Sequence, residues 1–284
     1  MAIERSGELA AAVPLKDAST VILVRDGDRG VEVFLLQRVR GMAFAGGMTV
    51  FPGGGVDPSD SAAAVAWAGP PVQWWSERFG TSENLAQALV LAAVRETFEE
   101  CGVLLAGPTP DTVVADTTAF APARRQLEAR EFTFGEFLER EGLVLRADLL
   151  RPWSNWITPV GEGRRYDTRF FVAAAPEGQI ADGDTSEADA VRWQTPQEAI
   201  AHWQEGGSVL LPPDLEPVDG IVAVRFGRGD PRCGAADHAD SADPDHGRRG
   251  ASGGVPRAGR LLRGGAASVG RPGCQLACAS WLNS

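Results

Sequence analysis

The 284-residue chain, 44% hydrophobic, is long enough for one well-cored domain with an extension or for two small domains. A formal net charge of −11 argues against a general nucleic-acid binder, because such binding draws on Lys and Arg set against phosphates. Residues 1–5 show no charged lead into an apolar segment, and no apolar run is long enough to span a bilayer, so a cytoplasmic protein without a membrane partner is expected. Of the four cysteines only Cys101 lies inside the apparent core. Cys233, Cys274 and Cys278 lack paired CxxC spacing, so neither a disulfide framework nor a zinc site is expected. Charge divides unevenly along the chain. Residues 1–227 carry 19 basic and 33 acidic side chains (−14), and residues 228–284 carry 8 and 5 (+3).

In chain order, Ser19-Thr20-Val21-Ile22-Leu23-Val24 and Val31-Glu32-Val33-Phe34-Leu35-Leu36 are β-rich runs joined by a polar, glycine-containing turn, which predicts a hairpin. Arg38 and Arg40 follow, and residues 41–50 form a glycine-containing loop into a short strand that ends at Pro52. Phe51-Pro52-Gly53-Gly54-Gly55 is a turn whose backbone can approach a ligand closely. The segment from about 58 to 82 carries Trp67, Trp74 and Trp75. Tryptophans seldom stay wet, so it is expected to fold down on the domain, as core or as a wall of a site.

Ser82 is suited to cap a helix, with Glu83 in its first turn. Val90, Val94, Phe98 and Cys101 form its core face. Leu85, Leu89 and Ala92 share a side with Glu96, and the preceding segment is expected to cover them. A Pro/Thr/Ala-rich connection over 107–123 leads to a predicted helix from Phe134 to Arg140. Arg165, Asp167 and Arg169 share a strand face by period two, as a cross-braced surface or a phosphate clamp. Asp182, Asp184, Glu187 and Asp189 crowd a loop ahead of Ala190-Val191-Arg192-Trp193. Thr195-Pro196 then opens a helix to Trp203.

The chemistry concentrates in Arg95-Glu96-Thr97-Phe98-Glu99-Glu100-Cys101-Gly102-Val103. Glu96, Glu99 and Glu100 stand at i, i+3 and i+4, project from one helix face and can converge on one point. Three crowded carboxylates call for a counter-ion, and hard oxygen donors suit Mg²⁺ or Mn²⁺. Together with the glycine turn, this stretch resembles the Nudix box, G-x5-E-x7-R-E-U-x-E-E-x-G-U with U a bulky aliphatic residue. The match runs from Arg95 to Val103 apart from Thr97 at the first U position. Some thirty residues beginning near Asp57 separate glycines from helix, so about 58–82 is an insertion within the box. The family's early glutamate, the usual carboxylate partner of the arginine, falls on Gln87, and Asp57 is the substitute considered.

The resemblance implies an α/β Nudix fold over residues 1–227: an α/β/α sandwich with a mixed β-sheet between helices. It implies metal ligation by Glu96, Glu99, Glu100 and the Gly53 carbonyl, with one of the three glutamates also a candidate base and Arg95 bracing the carboxylates. Nudix enzymes often draw a further ligand or general base from a loop outside the box, for which Glu187 is chosen. The run from Met42 to Gly54, the insertion, and Asp167-Thr168-Arg169-Phe170-Phe171 look like the peroxisomal coenzyme A diphosphatase branch of Nudix hydrolases. Arg38, Arg165 and Arg169 are the expected contacts to the phosphates of a small-molecule nucleotide substrate. The related coenzyme A signature has its second arginine where this chain has Ala43, so ADP-ribose, dinucleotides and capped RNA ends stay open as substrates. A non-catalytic Nudix module for ligand sensing or protein binding is the alternative from another class. Residues 228–284, with 8 Arg, 11 Gly and neither Ile nor Phe, hold too few apolar side chains to offset the entropy of ordering, so a disordered, dispensable tail is expected. A shifted reading frame would give the same composition.

Overall fold

In the computed structural model of the chain, residues 13–41 and 45–210 are described. Ala43, the boundary at 227 and the tail 228–284 lie outside the described residues. Strands β1 (Leu15–Gly27) and β2 (Gly30–Arg38) form the predicted hairpin. Gly27 and Gly30 are partners across a two-residue turn, and Gly30, at φ 114°, takes a conformation that favours glycine. In β1 the apolar run is continuous because both faces are covered. Val21 and Leu23 join one core cluster, Ile22 and Val24 the other.

The main sheet runs β10 (Ala188–Gln194), β2, β1, β9 (Arg165–Ala174), β8 (Arg151–Ile157). β1 and β9 pair in parallel and the other neighbours antiparallel, so the sheet is mixed as expected. Two short strands attach to it. β3 (Thr49–Val50) pairs with β2, and β4 (Gly53–Gly55) pairs with β1 at Ala18–Thr20. Helix α3 (Glu83–Cys101) covers one face. Helix α6 (Pro196–Gln204), held by a capping box between Thr195 and Glu198, packs Ala199 into the cluster on the other. The chain is thus an α/β sandwich with the sheet between helices.

Ser82 caps α3 through its hydroxyl at the Leu85 amide, and Gly102 ends the helix at φ 74° with its N–H on the Phe98 carbonyl. Val90, Val94, Phe98 and Cys101 are buried in the core, and the Phe98 ring stacks on Phe137 at 5.3 Å. Phe137 lies in α5 (Phe134–Arg140), which appears where its apolar stripe predicted. The Leu89–Glu96 side of α3 requires a correction. The sheet meets it first: the Ser19 hydroxyl of β1 donates to the Leu89 carbonyl at 2.6 Å, and β4 lies against Glu96.

The insertion also packs on α3, where the Gln87 side chain donates to the Ala63 carbonyl at 2.7 Å. It comprises α1 (Pro58–Ala62), β5 (Trp67–Ala68) and α2 (Val72–Phe79). Trp75 is fully buried, with its ring 5.6 Å from Phe79 and 5.9 Å from Phe171 of β9, so the insertion is part of the core. Strand β5 joins β7 (Val144–Arg146) and β6 (Ala106–Gly107) in a small second sheet. The 107–123 connection ends in a helix that the sequence reading did not separate, α4 (Ala121–Glu128). Only Ala123 and Leu127 of its apolar side chains are buried, and one i,i+4 pair is too little for a periodic signal.

Candidate active site

The glycine strand and the end of α3 meet closely. The Gly53 N–H donates to Glu100 Oε2 at 2.7 Å, and a Cβ on Gly54 would stand 2.5 Å from the Glu96 carboxylate and displace it. Arg95 lies just behind. Its Nη1 donates to Glu96 Oε1 at 2.7 Å and to Glu99 Oε2 at 3.3 Å, and its Nη2 to the Gly55 carbonyl at 3.0 Å. The bracing expected of Arg95 is thus a set of direct hydrogen bonds.

Its principal partner is neither Gln87 nor Asp57 but Asp60, a residue the sequence reading missed. The Asp60 carboxylate, 1% exposed, takes Arg95 Nε at 3.1 Å and Nη2 at 3.0 Å as a bidentate pair. Gln87 stands two turns back on α3, about 12 Å along its axis, and donates to the Ala63 carbonyl instead. Asp57 caps α1. Its Oδ1 accepts the Ser59 N–H, and its own N–H donates to Asp60 Oδ2 at 2.8 Å. The signal was present as the capping box Asp57-Pro58-Ser59-Asp60, in which the cap sits at the first residue and the other carboxylate is fixed three residues on.

Arg38, at the end of β2, faces the carboxylates from the other side. Its Nη1 is 3.6 Å from Glu100 Oε1, and its Nη2 binds Glu187 Oε2 at 2.6 Å. The loop residue chosen from outside the box therefore stands beside the cluster. Arg165 and Arg169 are held by other partners. Arg165 Nε donates to the Thr158 carbonyl at 3.1 Å, while Arg169 pairs with Asp167 and lies near the Phe79 carbonyl at 3.5 Å, at the end of the insertion's helix α2.

Burial dominates the electrostatics. It raises the pKa of Glu96 against the lowering effect of Arg95, and brings Glu99 to about 7. Glu100 is raised well above the usual range, first by burial and then by the Glu96 charge, against Arg38 and the Gly53 N–H. Burial would lower Arg95, but Glu96, Asp60 and Glu99 outweigh it and hold the guanidinium charged. Cys101, on the core side, is pushed up to about 12 by burial.

The convergence of three carboxylates on one point is not met as placed. Among the described residues no group of three His, Cys, Asp or Glu side chains stands ready to hold a metal ion, because Arg95 lies between Glu96 and Glu99 and Arg38 faces Glu100. The donors nevertheless fit a hard divalent cation. All are oxygens, burial raises all three carboxyls so that a nearby cation would favour their charged forms, and Glu100 Oε1 is buried without a hydrogen-bond partner.

Comparison with known proteins agrees with this architecture. A crystal structure of a Nudix hydrolase from Alicyclobacillus acidocaldarius superimposes with a TM-score of 0.63 at 28% identity, covering 75% of this chain and 93% of that one. The family description NUDT19 Nudix domain matches residues 73–219, more than half of the chain. The chain belongs to the Nudix hydrolases, in the NUDT19 Nudix domain family. Curated relatives include the acyl-coenzyme A diphosphatase NUDT19 of Gallus gallus, 30% identical over 246 residues (73% of this chain, 64% of the relative). The protein of that name from Xenopus laevis is 26% identical over 219 residues (65% and 58%). The chain thus spans roughly three fifths of the length of these relatives. No helix among the described residues is long and apolar enough to cross a membrane.

Proposed function

We propose that the chain is a divalent-metal-dependent diphosphatase acting on a nucleoside diphosphate derivative. The favoured substrate is coenzyme A or an acyl-coenzyme A, giving 3′,5′-ADP and 4′-phosphopantetheine or its acyl form. The observation that carries this reading is the set of half-buried Glu96 and Glu99 and buried Glu100 at the glycine strand, flanked by Arg95 and Arg38. The names of the curated relatives, acyl-coenzyme A diphosphatases, support the substrate class.

Nudix hydrolases generally use divalent metals. Here Glu96, Glu99, Glu100 and the Gly53 carbonyl would hold Mg²⁺ or Mn²⁺. Bound there, the ion would polarise the diphosphate, make water a better nucleophile and stabilise charge developing on phosphorus. Arg95 keeps Glu96 and Glu99 in place. Arg38 offers its guanidinium to a phosphate of the substrate, and Glu187 takes the proton of the attacking water as its oxygen bonds to phosphorus and the bond to the leaving phosphate breaks.

Coenzyme A and dephospho-coenzyme A differ by one 3′-phosphate, for which Arg38, Arg165 and Arg169 are the candidate contacts. A charge-assisted contact is worth about 1.5–3 kcal/mol, so kcat/KM for dephospho-coenzyme A is expected to fall about 10- to 100-fold. Equal values, or a preference for ADP-ribose over both, would leave a general dinucleotide hydrolase. Two observations favour that second reading: Ala43 stands where the coenzyme A signature has an arginine, and Arg169 is already paired with Asp167.

A further inference from the structure

Glu187 reaches the site at the end of a loop rich in acidic and small residues, with its side chain 39% exposed. The loop is tied down just past the end of β2, where the Val39 N–H donates to the Glu187 carbonyl at 2.9 Å, and ahead of Glu187 by α4. Glu128, in the last turn of α4, uses one oxygen for three donors: the Ser186 N–H at 2.7 Å, the Ser186 hydroxyl at 2.5 Å and the Thr185 hydroxyl at 3.1 Å. Thr185 Oγ1 in turn accepts the Glu187 N–H at 3.3 Å. One turn earlier on α4, Arg124 is 5% exposed and donates through Nη1 to Asp182 Oδ1 at 2.6 Å. The same guanidinium donates through Nε to the Glu99 carbonyl at 3.0 Å, in the last turn of α3. A cation is favourable there, because terminal helix carbonyls lack intrahelical donors and the helix dipole is negative at that end. The Asp182 N–H adds a bond to the Cys101 carbonyl at 3.0 Å.

We propose that α4 positions the turn that leads into Glu187, with Glu128 as the residue that holds Thr185 and Ser186 and Arg124 as one that joins the loop to the carboxylate-bearing helix. The inference rests on the reading that gives Glu187 a part in diphosphate hydrolysis. Glu128 acts through the loop backbone, so its loss lowers turnover without a matching change in substrate binding.

The test compares Glu128→Ala and Glu128→Gln in the full chain with Glu187→Gln and the Glu128→Ala/Glu187→Gln double variant. Hydrogen exchange of peptides covering 182–189 is followed beside kcat and KM. Loss of a supporting group commonly costs about 10- to 100-fold, and kcat of Glu128→Ala is expected in that range with KM within about two-fold. Exchange over 185–187 should rise in the same variant. Glu128→Gln keeps an acceptor oxygen for the Ser186 N–H, so it should restore both readouts toward wild type. In the Glu187→Gln background, Glu128→Ala should cost little more, because both changes remove one contribution. Unchanged exchange in Glu128→Ala, or a full additional loss in the double variant, would overturn the proposal while leaving Glu187 its role. Wild-type turnover in Glu187→Gln would instead remove the reading on which it rests.

Discussion

Arg95 and Arg38 both face the glutamates of α3, yet their outer partners differ sharply. Arg95 is locked on Asp60, 1% exposed, by two hydrogen bonds inside the domain, whereas Arg38 is joined to Glu187, whose side chain is 39% exposed. A desolvated pair cannot lose one member without stranding a charge, while a pair at the water boundary can exchange its partner at modest cost. The contrast suits two jobs: the inner arginine holds the carboxylates in place, and the outer one can turn from Glu187 to a phosphate.

The sharpest way to break this contrast is Asp60→Asn, which leaves the Arg95 charge buried without its bidentate partner. A loss of about 3–5 kcal/mol in denaturant unfolding is expected. A loss below about 1 kcal/mol would mean that Arg95 is as exchangeable as Arg38.

Glu99→Gln and Glu100→Gln probe the groups between the two arginines. Turnover should fall by at least about 100-fold, since even supporting groups of metal sites cost up to that much. Near-wild-type activity in both would discard the ligand assignment. Glu100 is 3% exposed, so the isosteric size of glutamine, and its oxygen for the Gly53 N–H, must preserve the fold. Stability should respond to pH in the opposite sense from an ordinary paired carboxylate. With the Glu99 pKa raised from 4.5 to about 7, the chelator-treated folded protein holds a proton that the unfolded chain releases. Its contribution is therefore intact below about pH 4.5 and is lost as pH rises toward 7, on the order of 3 kcal/mol. Glu99→Gln should flatten that slope in thermal melts, and an unchanged slope would contradict the shift.

Cys101→Ser is the smallest change and the control for the opposite side of α3. The thiol is buried and donates to the Thr97 carbonyl at 2.9 Å, so a more polar hydroxyl should cost about 1–3 kcal/mol of stability while kcat stays near wild type. A large kcat loss with unchanged stability would place Cys101 in the chemistry after all.

Much of this site was legible before any coordinates. The hairpin, the carboxylate helix and its ends, and the helix after Thr195 follow from residues a few positions apart: Gly27 and Gly30 around a turn, Ser82 and Gly102 as caps, Glu96 and Glu100 at i,i+4. The place of Trp75 in the core was one of the two readings its size allowed. Helix α4 was hidden because only Ala123 and Leu127 mark its apolar side.

The sequence by itself determined that a glycine-rich turn would lie near three helical carboxylates, because chain geometry over a few residues dictates the carboxylate face and the Nudix resemblance joins the two; that Gly53–Gly55 pairs as a strand was decided by β1. Only the tertiary structure decided which carboxylate meets which arginine. Asp60 lies 35 residues from Arg95, and Glu187 lies 149 from Arg38. Such pairings depend on where the insertion packs on α3 and how β10 registers on β2, and spacing along the chain carries no trace of either.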